Sequence, residues 1–227
     1  MSFAHCLRSG RPVAVTALTI LSLLISQSLF AAGSILMWGE IVVDGRELEC
    51  NDFAAVAAGS HHSLAYGSIF AWASNEYGRA TPPTGNDYVA IAAGYYHSLA
   101  PKQDGSIIGW AWDNHCQSTP PAGSDYVAVA PGGVHSLAPK QDGSVVGWGS
   151  WEYDQDLPPA GNDYVAIAAG IWHSLALKDD GSIVGWGRDD YGQAIPPTGR
   201  VFEAIVGGNR LSVAIAGCRR LEPRWHR

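Results

Sequence analysis

The chain has 227 residues, 47% of them hydrophobic, with 27 glycines, 13 prolines and a net charge of −7. This length is enough for one domain with a core of its own, and the glycine and proline content calls for many turns. The acidic balance excludes the basic face that nucleic-acid binding needs.

Residues 1–32 differ from the rest. Arg8 and Arg11 precede an apolar run from Val13 to Ile25, which continues less purely to Phe30, and Ala31-Ala32-Gly33 supplies small residues. This reads as a secretory signal peptide and predicts a secreted or periplasmic protein. An uncleaved membrane anchor is the open alternative, because the stretch is nearly long enough to span a bilayer. Loss of the two arginines would take the charge from −7 to −9. Cys6 lies in the leader. Cys50, Cys116 and Cys218 form neither a disulfide framework nor a zinc pattern.

From residue 33 to residue 217 the chain repeats itself. Ser-Leu-Ala follows His62, His97, His135 and His173, whose last three members are 38 residues apart. Trp72, Trp110, Trp148 and Trp186 keep the same 38-residue spacing, as do the Pro-Pro pairs at Pro82, Pro120, Pro158 and Pro196. A fixed period of this size means units that each bury an apolar face against the next. In the unit 86–123, Tyr88 to Ala93 alternates large and small residues and predicts a strand. Gly94 breaks it, and His97 to Ala100 is a second strand. Asp104-Gly105 predicts a hairpin turn, because glycine accepts the positive φ needed there. Ser106 to Trp110 is the third strand, and the Pro120-Pro121 loop leads onward, since proline cannot donate to a ladder. Nothing in the unit has helical periodicity.

A fifth, degenerate unit runs from Phe202 to Ala216, with Leu211 in place of the histidine. It lacks a third strand, and a matching one stands alone as Gly33-Ser34-Ile35-Leu36-Met37-Trp38. The prediction is an all-β fold, a β-propeller of about five short blades closed by the N-terminal strand, with an open arc as the alternative. Residues 218–227, rich in arginine, read as a solvated tail.

Residues found once per unit serve the unit. The tryptophans Trp38, Trp72, Trp110, Trp148 and Trp186 are expected to pack between sheets. The histidines are expected to be buried and bonded to loop backbone, because adjacent His and Ser side chains in a strand point to opposite faces and cannot pair. Asp104, Asp142 and Asp180 lack the alternating ligands of a calcium loop. Neither metal nor cofactor is expected, and no catalytic motif occurs.

The variable positions inside this frame are rich in aromatics and acids. Tyr95, Tyr96 and Trp172 precede the histidines, and Trp112, Asp113, Trp151, Glu152, Asp189 and Asp190 follow the tryptophans. They suit a protein-binding rim. Packing between neighbouring blades is the alternative reading of the aromatics, and a carboxylate pair for hydrolase or lyase chemistry is the alternative for the acids.

The motifs Ala-Gly-x-x-His-Ser-Leu-Ala, Asp-Gly-x-(Ile/Val)-x-x-Trp-Gly and Tyr191-Gly192-Gln193 resemble the regulator of chromosome condensation repeat family. The resemblance implies a β-propeller, commonly of seven blades, so five units depart from the pattern and leave a smaller ring or a fragment of a longer array. With its leader and acidic charge, the chain looks more like the bacterial secreted type, as in the propeller-type β-lactamase inhibitory protein, than the nuclear nucleotide-exchange type. That likeness implies binding through aromatic and acidic loop residues. The expectation is an exported, monomeric, non-enzymatic module with an extracellular or periplasmic protein partner, which meets a membrane only if its leader is retained.

Overall fold

The computed structural model describes residues 55–66 and 70–217. The leader, the expected closing strand with Trp38, and the tail lie outside the described residues, as does the side chain of Trp72. Among the described residues, fourteen strands form small antiparallel sheets that follow one another in chain order. The first sheet holds β1 (Ala55–Ala58), β2 (His62–Tyr66) and β3 (Phe70–Ala73). The second holds β4 (Ala92–Ala93), β5 (His97–Pro101) and β6 (Ile107–Ala111). The third holds β7 (Ala130–Pro131), β8 (His135–Pro139) and β9 (Val145–Gly149), and the fourth β10 (Tyr164–Ala169), β11 (His173–Lys178) and β12 (Ile183–Gly187). The fifth has β13 (Phe202–Gly207) and β14 (Ser212–Ala216), without a third strand among the described residues. A 3-10 turn at Glu76–Gly78 is the helical segment among them.

Each sheet is a blade, and in the first four the middle strand carries His-Ser-Leu-Ala. The leucines Leu64, Leu99, Leu137 and Leu175 are buried, and each blade's apolar face is completed by the next. Leu99 packs with Tyr126, Val129 and Trp148 of the following unit. Trp110 and Trp148 are buried, as expected, and Trp186 is half-buried.

The hairpins follow their sequence. Gly105 has φ +79, and Asp104 Oδ1 accepts the Ser106 N–H at 2.9 Å. The outer strand departs from expectation. Tyr88–Ala93 keeps only Ala92–Ala93 as ladder plus a bridge from Tyr88 to Lys102, whereas its counterpart β10 runs for six residues. The difference lies in the middle strand. Pro101 and Pro139 stand where β11 has Leu177. The Pro101 carbonyl faces β4 and accepts the Val89 N–H at 2.9 Å. Its nitrogen faces the same way and has no hydrogen, so the ladder stops there while pairing to β6 continues.

Candidate binding site

The repeat histidines bond across blades rather than to loop backbone directly, which corrects the expectation. His62 Nε2 lies 2.6 Å from Ser98 Oγ, His97 Nε2 2.8 Å from Ser136 Oγ, His135 Nε2 2.8 Å from Ser174 Oγ, and His173 Nε2 2.9 Å from Ser212 Oγ. Ser136 Oγ donates its single proton to the carbonyl of Gln117 at 2.9 Å, so it must accept from His97 Nε2–H. The same carbonyl accepts the Trp148 indole N–H at 3.0 Å. Gln155 repeats this with Ser174 and Trp186. Thus the histidine of one unit, the serine and tryptophan of the next, and the loop carbonyl between them form one seam. Burial holds these imidazoles neutral: His97 and His135 are pushed down to about 3, and His62, also facing Arg79, to about 4. No cluster of three metal-ligating side chains occurs among the described residues.

The seam also aligns the variable loops. In the first four blades the loop after the strand-ending glycine is tied to the loop after the tryptophan: Ser74 N–H donates to His61 O at 3.0 Å, and Trp112 N–H to Tyr96 O at 3.2 Å. Between the first and second blades these loops enclose a cleft of about 350 Å³. Tyr96 forms its centre, with ring centroids 4.4 Å from Tyr95, 5.1 Å from Trp112 and 6.1 Å from His61. Tyr77, at φ +63, covers another side, 6.2 Å from Trp112. At the base lies Arg79, only 1% exposed. Its Nη2 donates to Ser74 Oγ at 2.9 Å and to Glu76 Oε2 at 3.2 Å, while Nε and Nη1 have no partner. Its guanidinium sits 5.6 Å from the Tyr77 ring centre and 5.7 Å from that of Tyr96.

The structure brings together Tyr95, Tyr96 and Trp112 but not all the residues expected on the rim. Trp172 contacts Tyr153 at another seam, at 5.7 Å. Trp151 points into solvent, 75% exposed. It occupies the register of Asp113 and Asp189, not that of Trp112. Those two aspartates close their own loops: Asp113 accepts the Ser118 N–H at 2.8 Å and the Thr119 Oγ–H at 2.7 Å, and Asp189 accepts the Ala194 N–H at 2.8 Å. Asp190 is paired with Arg188, and Glu152 is exposed. Tyr77 and Arg79 were not anticipated. Arg79 was legible as a departure from register, because Gln117, Gln155 and Gln193 stand at its position in the other units.

Residues 164–193, from β10 through the loop of Gln193, match the Regulator of chromosome condensation (RCC1) repeat. The span 164–193 is thus similar to one such repeat. The seam residues of that span, His173, Ser174, Trp186 and Gln193, all recur in the second and third units. In fold the chain is similar to the ectodomain of receptor kinase CR4 from Physcomitrella patens, with TM-score 0.65 and 22% identity over 78% of this chain and 50% of that one. The CRINKLY WD40 ectodomain of ACR4 from Arabidopsis thaliana gives 0.63 and 21%, covering 76% of this chain and 64% of that one. Prp20p from Saccharomyces cerevisiae gives 0.64 and 16%, covering 74% and 57%. The chain therefore spans between half and two thirds of the length of these β-propeller proteins. No curated protein matches it.

Proposed function

We propose that this chain is an exported, non-enzymatic propeller module that binds a protein through the loops around the Tyr96–Trp112 cleft. The carrying observation is that aromatic side chains at positions the repeat leaves free converge on one cleft over a buried arginine. Trp, Tyr and Arg are the residues that dominate protein-binding hot spots. A binding role rather than catalysis is supported by the histidines, the strongest acid–base candidates, which are consumed by the seam. The structural relatives add support: two are receptor-kinase ectodomains, and the Prp20p structure was described with binding to Gsp1p and histones.

The test is capture of partner proteins from the surrounding medium by the purified chain, followed by affinity measurement with the main captured protein. Tyr96→Ala and Trp112→Ala should each weaken binding by about 2 kcal/mol or more. Undiminished binding by both variants, with folding intact, would place the interface elsewhere.

A further inference from the structure

The charge at the base of the cleft selects what enters it. An aromatic cup usually favours cations, because ring faces carry negative charge. Here the faces of Tyr77 and Tyr96 are already engaged by the Arg79 guanidinium, at 5.6 and 5.7 Å. A second cation above those rings would meet like charge through a low-dielectric layer. Of the acids expected on the rim, Asp113 and Asp189 are bound to their own loops and Asp190 to Arg188, and Glu152 does not line the cleft. The carboxylate lining the cleft is that of Glu76, 65% exposed and held by one bond of 3.2 Å to Arg79.

Arg79 is out of place in two respects. The repeat puts glutamine at this position in three other units. Its backbone carbonyl does the same work as theirs, accepting the Trp110 indole N–H at 3.2 Å, so the arginine side chain adds nothing to the seam. It is nevertheless buried with Nε and Nη1 unpartnered, a costly state for a charged group.

We infer that the cleft binds a carboxylate side chain of its protein partner, with Arg79 as the recognition cation and Glu76 as an internal carboxylate that the ligand's carboxylate displaces. This rests on the cleft being the binding site. An entering Asp or Glu side chain stacks its stem among Tyr96 and Trp112 and brings its oxygens to the guanidinium. The exposed Glu76 swings out to solvent, and opening of the Tyr77 ring gives access to the buried N–H groups. The buried charge is then compensated by the partner, as in charge-assisted recognition elsewhere.

The test uses three shape-matched small probes titrated into the full chain by NMR, following the Trp112 indole and Arg79 Hε signals: phenylacetate, phenylacetamide and phenethylammonium. Phenylacetate should bind at least tenfold more tightly than the amide, and the cation weakest. Arg79→Gln should erase the preference while leaving the melting temperature undiminished, because glutamine is the native residue at this place in three sister units. Glu76→Gln should strengthen phenylacetate binding several-fold by removing the competitor. Peptides Ac-Gly-Phe-Glu-Gly-amide and Ac-Gly-Phe-Gln-Gly-amide should repeat the acid preference, and a glucuronate trisaccharide should not compete with the acidic peptide. Equal binding of acid and amide, tighter binding of the cation, or a preference that survives in Arg79→Gln overturns the inference. So does a glucuronate that displaces the peptide. If Trp112→Ala abolishes partner capture while the acid preference is absent, only this inference fails. If Trp112→Ala leaves capture intact, the cleft reading itself is wrong.

Discussion

Lowering the pH from 7 to 5 protonates the imidazoles of the unfolded chain, while the seam keeps its own neutral. In the folded chain His97 and His135 are held down to about 3 and His62 to about 4, by burial first, against 6.5 for a free imidazole. The unfolded chain therefore binds more protons than the folded one throughout the interval between those values. Stability is complete above pH 6.5 and is lost as pH falls below it, until the folded histidines themselves titrate. One pH unit is worth about 1.4 kcal/mol per group, so each of these histidines costs about 2 kcal/mol at pH 5 and the three together about 6 kcal/mol. That is comparable with the whole stability of many domains. Asp104, Asp142 and Asp180 are held below their ordinary value by the Ser106, Ser144 and Ser182 bonds and act only at lower pH. Asp156, raised by burial, works in the opposite direction but is a single group. The assay is urea unfolding followed by tryptophan fluorescence at half-unit steps from pH 7.5 to 5. The wild type should lose about 4 kcal/mol per pH unit near pH 5, and His97→Gln should lose about one third less. If the pH profiles of wild type and His97→Gln run parallel between 6.5 and 5, the neutral His–Ser seam is refuted.

Other consequences follow from the same geometry. Trp148→Ala removes a buried ring and its bond to Gln117 O, and thermal or urea unfolding should show a loss of about 3–5 kcal/mol, whereas Trp151→Ala should change stability by less than about 0.5 kcal/mol. Ala111 sits at φ +80 where the third and fourth units carry Gly149 and Gly187, so Ala111→Gly should stabilise by about 1 kcal/mol, with a matching rise in urea midpoint. Gly132→Ala should destabilise by about 1–3 kcal/mol, since its Cβ would lie 2.6 Å from the Gly170 carbonyl oxygen of the next blade. Deleting residues 33–38 should expose the fifth unit to protease if that segment supplies its missing strand; unchanged resistance would favour an open array.

The repeat frame was legible in the residues themselves. A 38-residue period, Asp-Gly turns and proline loops are local signals, and each acts through backbone rules that hold in any context. That His97, Trp110 and their equivalents serve structure also followed from their recurrence. Even the short outer strands were written in Pro101 and Pro139, although their meaning depends on which side of the strand the missing N–H faces. Trp151 follows Trp148 by three residues whereas Trp112 follows Trp110 by two, so the two are not equivalent positions of the repeat.

The partners of these residues were decided by the tertiary structure alone. His97 finds Ser136, 39 residues away, only because successive blades stack at a distance that brings one unit's imidazole to the next unit's hydroxyl. Asp113 lost its place on the rim because its own loop supplied nearer donors in Ser118 and Thr119. Arg79 became the base of a cleft because the seam buries whatever side chain follows that loop, glutamine or arginine alike. Periodicity determines which residues are equivalent, since it needs only local pattern. Which of them meet depends on the rotation between blades, a property of packed surfaces that no single unit contains.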